Sequence, residues 1–162
     1  MSDTSVPQVG QSAPTFQATA STGAIDLASF KGKQNVVLYF YPKADTTGCT
    51  KESCAFRDNT PDFTRRGVAV IGVSADDVAA QQAFDQKYGL GFPLIADTDR
   101  RIINAYGVWG ERTRADGTKF DGIRRWTFLI DKKGTIRKVY QNVTPEEHAT
   151  EILKDIDSLG LS

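Results

Sequence analysis

Apolar residues in this chain fall into short continuous runs, separated by stretches in which they recur at helical spacing. Residues Asn35 to Tyr41 (NVVLYFY) are a β-branched and aromatic run, as expected of a strand buried on both faces. Pro42 and Gly48 then punctuate the chain, so this strand delivers it to the segment that opens at Cys49. From Cys49 to about Arg66 the pattern predicts a helix with Cys54, Phe56 and Phe63 inward, kinked or cut short at Pro61. Val68 to Ser74 reads as a second strand. Asp77 to Tyr88 reads as a helix capped by Asp76 and stopped by Gly89. Phe92 to Ile95 is a short strand and Arg100 to Tyr106 a short helix, followed by a polar, Gly-containing loop over Gly107 to Gly122.

Two further runs, Arg125 to Ile130 and Thr135 to Tyr140, flank Asp131-Lys132-Lys133-Gly134, a hairpin signal. Thr144 as N-cap, with Pro145 and two glutamates behind it, predicts a last helix reaching about Leu159. The order β-α-β-α-β-α-β-β-α implies an α/β fold, a mixed β-sheet flanked by helices on both faces. The chain up to Phe30 is a short N-terminal extension whose strands the pattern places only weakly.

Composition narrows the function more than the fold. No repeat, low-complexity tract or linker divides the 162 residues, so a single domain over residues 1–162 is expected. Twenty basic residues balance twenty acidic ones, and no electrostatic footprint points to nucleic acid or to a membrane surface. The first ten residues, MSDTSVPQVG, lack the basic and apolar regions of an export signal, which leads to the expectation of a soluble, cytoplasmic protein. No Gly-rich nucleotide motif and no His/Cys/carboxylate cluster is present, so neither a cofactor nor a metal is expected. The single histidine, His148, reads as a solvated helix residue. Trp109, Trp126, Phe92 and Tyr39 read as core or pocket-wall aromatics.

The two cysteines, Cys49 and Cys54, lie close together, as a reactive pair would in a reducing compartment. A nucleophilic cysteine must be a thiolate, and an ordinary thiol with a pKa of about 8.5 is mostly protonated near neutrality. Cys49 falls in the first turn of its predicted helix, where unpaired N–H groups and the helix dipole favour negative charge, whereas Cys54 lies a turn deeper. Residues five apart on an intact helix have Cα atoms roughly 8 to 9 Å apart. That exceeds the reach of a disulfide, about 7 Å. If both are helical when reduced, they can bond only after the helix opens locally.

The run Pro42-Lys-Ala-Asp-Thr46-Thr-Gly-Cys49 carries the pattern P-x-x-x-T-x-x-C, and Cys49-Thr-Lys-Glu-Ser-Cys54 carries C-x-x-x-x-C. On these motifs the chain resembles the peroxiredoxins, in particular the peroxiredoxin Q or bacterioferritin comigratory group. The likeness extends over Ala13-Pro-Thr-Phe16, Phe30-Lys-Gly-Lys33, Val70 to Asp76 and Phe92-Pro-Leu94, which is nearly the whole chain. The resemblance implies a thioredoxin-like fold and a peroxide-reducing enzyme. Cys49 would be the peroxidatic cysteine, Cys54 the resolving one, Thr46 a hydroxyl partner in the peroxide pocket and Pro42 a shield against water. Arg125, two positions before Thr127 in RRWTFLID, would be the active-site arginine, with Arg124 on the opposite face. Thioredoxin or a similar dithiol would restore the thiols. The chain departs from the group at Thr47, where relatives commonly carry Pro, and an altered opening of the helix is expected there.

The implied state is a monomer or weak homodimer, since both cysteines of the pair belong to one chain. Two other readings stay open at this level. A thiol-disulfide exchanger on the same scaffold is disfavoured by the five-residue spacing, because a rigid exchanger uses C-x-x-C. A binding or holdase protein would leave the cysteines incidental.

Overall fold

A computed structural model describes residues 6–141 and 143–161. Its centre is a seven-stranded mixed sheet. The strand run of the first apolar stretch is β3 (Asn35–Phe40), reached after β1 (Gln17–Ala20), β2 (Gly23–Asp26) and a 3-10 turn at Leu27–Phe30. β4 (Val68–Ser74) lies parallel to β3, and β5 (Leu94–Ala96) lies parallel to β4. A separate antiparallel pair, β6 (Trp109–Thr113) with β7 (Lys119–Ile123), stands outside the main sheet. β8 (Thr127–Ile130) and β9 (Ile136–Tyr140) then complete the sheet, in the order β2-β1-β5-β4-β3-β8-β9. β3 therefore sits inside, bonded to β4 on one side and antiparallel to β8 on the other.

Alternation along β3 divides the core. Val37 and Tyr39 face one side with Val70 and Leu129, and Val36, Leu38 and Phe40 face the other with Ile71, Val73 and Phe128. The first side is covered by α1 (Thr47–Asp58), α2 (Thr60–Arg65), α3 (Val78–Tyr88) and α5 (His148–Ser158), through Phe56, Phe63, Phe84 and Ile152. The second side holds α4 (Arg101–Ala105), through Ile102 and Ile103, together with Leu27 and Ala13 from the N-terminal extension. The mixed sheet with helices on both faces is as the periodicity predicts.

Several boundaries differ from the sequence reading, each for a local reason. The helix expected from Cys49 to Arg66, kinked or cut short at Pro61, is two helices with the break two residues earlier, at Asn59. Its side chain donates to the Ala55 carbonyl at 2.7 Å, and Pro61 occupies the first turn of α2, where a missing N–H costs nothing. The cap of α3 is Asp77, which accepts from the Ala80 N–H at 2.8 Å, and not Asp76. The polar stretch from Gly107 to Gly122 is largely the β6–β7 hairpin. Its strands are mostly exposed and charged, so the apolar alternation that marks a strand is absent. The last helix starts at His148, because Thr144 to Glu147 close a turn of their own. The hairpin at Asp131–Gly134 is as expected: the Asp131 carboxylate accepts from Lys133 and Thr135 N–H groups, and Gly134 takes φ +82°.

Tyr39 lies beneath the helices and leaves no room beside it at Gly72 of β4. A Cβ there would sit 2.9 Å from both Leu94 Cδ2 and Tyr39 Cζ. Gly72→Ala is expected to destabilise the fold by about 1–3 kcal/mol through overpacking, read as a lower urea midpoint with an unchanged m-value. An unshifted midpoint would show that this contact is slack.

Candidate active site

Strand β3 ends at Phe40, and the loop that follows, Tyr41 to Thr46, is tied down from several directions before α1 begins. Tyr41 donates to Gln81 Oε1 at 2.5 Å, and Gln81 Nε2 donates to Ser74 Oγ and to the Ile95 carbonyl, both at 2.8 Å. Ser74 Oγ donates to Asp76 Oδ2 at 2.6 Å, and the same carboxylate oxygen accepts the Ala44 N–H at 2.8 Å. Asp76, freed from capping α3, thus holds the loop by its backbone. Asp45 adopts a left-handed conformation with φ +61°, and its carboxylate accepts from Lys87 Nζ at 2.8 Å and from Tyr88 OH at 2.7 Å. A non-glycine residue pays for that backbone in strain, and the two α3 side chains hold it there.

Thr46 is the N-cap of α1, but no side chain caps the helix, and the first intrahelical bond runs from Thr50 N–H to the Thr46 carbonyl at 2.8 Å. Thr47 is the first helical residue rather than a cap. The N–H groups of the opening turn are therefore free to face an anion. Cys49 belongs to this turn and is fully buried among Tyr39, Tyr41 and Phe56. Its Sγ accepts from Arg125 Nη2 at 3.3 Å. Arg125 lies just before β8 rather than within it, and its Nη1 donates to Glu52 Oε1 at 2.8 Å. Gly48 makes this approach possible, since a Cβ at that position would lie 3.1 Å from Nη2.

Glu52 is one helical turn after Cys49, on the same face, and is completely buried. Its Oε2 has no hydrogen-bond partner. Burial raises the Glu52 pKa to about 7, against the opposing pull of Arg125. For Arg125 burial acts to lower the pKa, but an anionic Cys49 sulfur and the Glu52 carboxylate outweigh it and the net shift is upward. One guanidinium thus bridges a sulfur and a carboxylate, and it remains charged through any accessible pH.

Behind this trio stands His148, which its helix position predicts to be solvated and which is fully buried. Its Nε2 lies 2.7 Å from Thr127 Oγ1, its Nδ1 3.3 Å from Glu151 Oε1, and its ring packs edge-on against Phe56 and Tyr140. Burial lowers its pKa, assisted by the positive charge of Arg125 and opposed by Glu151. The neutral ring is therefore a spacer that fixes α5 against α1 and the start of β8. Nothing in the sequence signals this, because the partners are far apart along the chain.

The residues expected to form the site are distributed as follows. Cys49 and Arg125 meet. Pro42 is half-buried in the loop leading to the cysteine turn. Thr46 is exposed and donates its hydroxyl to the Lys43 carbonyl at 2.9 Å; among the described residues no hydrogen bond joins it to Cys49. Cys54 is a free, half-buried thiol further along α1, packed at the edge of the same core as Cys49. Arg124 lies over the Trp126 ring, 4.9 Å from its centroid. Trp109 is 37 % exposed beneath Arg100, so it is neither core nor pocket wall. Glu52 escaped the sequence reading, although its spacing of three from Cys49 was the available signal.

Comparisons with known proteins find relatives along nearly the whole chain. The AhpC/TSA family matches residues 9–139. A bcp-type peroxiredoxin assigned in Coxiella burnetii is 46% identical over 147 residues, covering 90% of this chain and 96% of the relative. A crystal structure of a Xylella fastidiosa PrxQ mutant superposes with a TM-score of 0.88 at 30% identity, over 96% of this chain and 99% of that one. The Xanthomonas campestris bacterioferritin comigratory protein, described for its alkyl peroxide reduction activity, superposes with a TM-score of 0.82 at 31% identity, over 89% and 91% of the two chains.

The burial of Glu52 has a pH signature. Its folded pKa, about 7, lies above its ordinary value of 4.5, so the folded state holds the extra proton between these limits. The stability contribution is complete below about pH 4.5 and is lost as pH rises through 7. Relative to Glu52→Gln, the wild-type protein should lose stability across that window, by at most about 1.4 kcal/mol per pH unit in urea titrations. Parallel profiles for the two proteins would show that Glu52 stays ionised throughout.

Proposed function

This chain belongs to the AhpC/TSA family, as a peroxiredoxin of the Bcp/Q group and hence a thiol peroxidase, and from that premise we propose that Cys49 is the sulfur that attacks peroxide and Cys54 the one that resolves it. The observation that carries the reading is the Cys49 sulfur, buried at an uncapped helix start and bonded to Arg125 at 3.3 Å. An anionic sulfur there attacks the nearer oxygen of a hydroperoxide. The O–O bond breaks, its electron pair leaves on the outer oxygen, and that oxygen takes a proton to depart as water or an alcohol. The sulfur, oxidised by two electrons, becomes a sulfenic acid. Charge that begins on sulfur ends on the leaving oxygen, and the Arg125 fork and first-turn N–H groups span both positions without reorganising.

Thr46 spends its proton on Lys43, which leaves its oxygen lone pairs free to accept from the O–H of an incoming hydroperoxide. Pro42, with no N–H to offer, limits water on the approach side. Cys54 then attacks the sulfenic sulfur, expelling water and closing a disulfide. Both cysteines lie on the intact α1, where positions five apart are roughly 8 to 9 Å distant by Cα, beyond the reach of about 7 Å for a disulfide. The first turns of α1 must therefore open in each cycle, and an external dithiol, thioredoxin or a similar protein, supplies two electrons and two protons to reset them. We place this cycle in the cytoplasm, where such a dithiol is kept reduced. Among the described residues no helix is long and apolar enough to cross a membrane.

Peroxide added in stopped flow should oxidise wild-type protein orders of magnitude faster than an ordinary thiol, and Cys49→Ser should abolish turnover. Mass spectrometry after one equivalent of peroxide should find an intramolecular Cys49–Cys54 link with the loss of two hydrogens, and in Cys54→Ser a sulfenic acid instead. Full peroxidase turnover by Cys49→Ser would overturn the assignment of the nucleophile. A wild-type protein that stops at the sulfenic acid would overturn that of the resolving thiol.

A further inference from the structure

On the hairpin side of Arg125 a cleft of about 550 Å³ opens, lined by Arg112, Arg124 and Arg125 with Trp126, Val143 and Thr144. Arg112 projects from β6 over the Phe120 ring, 5.6 Å from its centroid, and is half-buried. Among the described residues neither Arg112 nor Arg124 is ion-paired. The carboxylate at the rim, Glu111, is matched by Lys119 at 3.6 Å, and Glu52 is taken by Arg125. Arg124 is held flat across the hairpin, where the absence of a Cβ at Gly110 makes room: one placed there would lie 2.5 Å from its Nη2. Burial and the facing charge of Arg125 both act to lower the Arg112 pKa, while an anionic Cys49 opposes them. Arg112 is therefore close enough to the reactive sulfur to feel it, it faces the like charge of Arg125, and among the described residues no carboxylate pairs with it directly. Guanidinium groups do not escape such a setting by losing a proton. An anion from outside would relieve it.

The concavity adjoins the peroxide position through Arg125, has an apolar wall at Trp126 and Val143, and is of a size for a small organic molecule rather than a macromolecular surface. We propose that Arg112 and Arg124 form an anion subsite that selects organic hydroperoxides bearing a carboxylate, holding that carboxylate while the peroxide head lies at Cys49. This specificity rests on the peroxidase reading above and assigns the substrate class for the same site. The carboxylate would accept from the two guanidinium forks, and its alkyl arm would lie along Trp126. Hydrogen peroxide, which carries no carboxylate, gains nothing from the subsite.

The test uses one tertiary hydroperoxide carrying a carboxylate on a short alkyl arm, and its methyl ester, each reacted with the full-length protein in stopped flow. The wild-type rate constant for Cys49 oxidation should be about tenfold higher for the acid than for the ester at low ionic strength, and the ratio should shrink as salt is added. In Arg112→Gln the ratio should fall towards one, and Arg112→Lys should restore much of it. Because the readout is a ratio within one protein, a general loss of activity does not move it. A wild-type ratio of one, or a ratio unchanged in an Arg112→Gln/Arg124→Gln double variant, overturns the subsite. Hydrogen peroxide in a parallel arm separates the two ideas: a fast reaction with it alongside an acid-to-ester ratio of one removes the subsite alone, whereas failure of all three peroxides removes the peroxidase reading and the subsite with it.

Discussion

Arg125 is a cation held between two acidic partners inside the protein, the Cys49 sulfur on one side and the Glu52 carboxylate on the other. Burying charge is costly unless it is paired and hydrogen-bonded, and the surrounding architecture can be understood as the means of meeting that demand. The two acidic partners come from one face of α1, three residues apart, so a single helix delivers both. The guanidinium comes from the segment just before β8, so the helix must sit across the end of β3 and the start of β8. His148 and Phe56 set that crossing from beneath, and Gly48 leaves the gap through which the guanidinium reaches the sulfur.

The pairing is incomplete in a way that bears on function. Glu52 retains one buried oxygen without a partner, so burial raises its affinity for a proton despite the ion pair. Arg125 is therefore not neutralised by a strong permanent anion. Its charge remains available to the sulfur and, in the proposed cycle, to the oxygen that leaves, which is where a transition state differs from its ground state. The same unspent positive field continues into the hairpin cleft through Arg112 and Arg124.

Stability and reactivity pull against each other along α1. In the proposed cycle the helix must be intact to hold Cys49 against Arg125, and it must open for Cys54 to reach the same sulfur. The loop before it is fastened at its buried end through Gln81 and Asp76, and at its outer end only by the exposed Asp45 contacts with Lys87 and Tyr88. The exposed Asp45 contacts individually contribute little and can break without exposing much apolar area. The core strands below, with Tyr39 packed beside Gly72, need not move.

What the sequence by itself determined was local. The uninterrupted β-branched runs of β3 and β4, the Asp131–Gly134 hairpin and the position of Cys49 at a helix start follow from side-chain period and turn chemistry, which neighbouring residues decide. The motif around Cys49 and the Arg-x-Thr pattern at Arg125 were legible because they are short and contiguous. The pairing of Glu52 with a residue seventy-three positions away, the burial of His148 under Tyr140, and the Arg112 and Arg124 cleft were decided by tertiary structure alone. So was the β6–β7 hairpin, whose charged strands carry no apolar alternation. Each of these depends on which distant groups share a low-dielectric space or a backbone ladder, and a linear pattern holds no record of that. A buried polar residue and a solvated one look alike until the partners that satisfy it are in place.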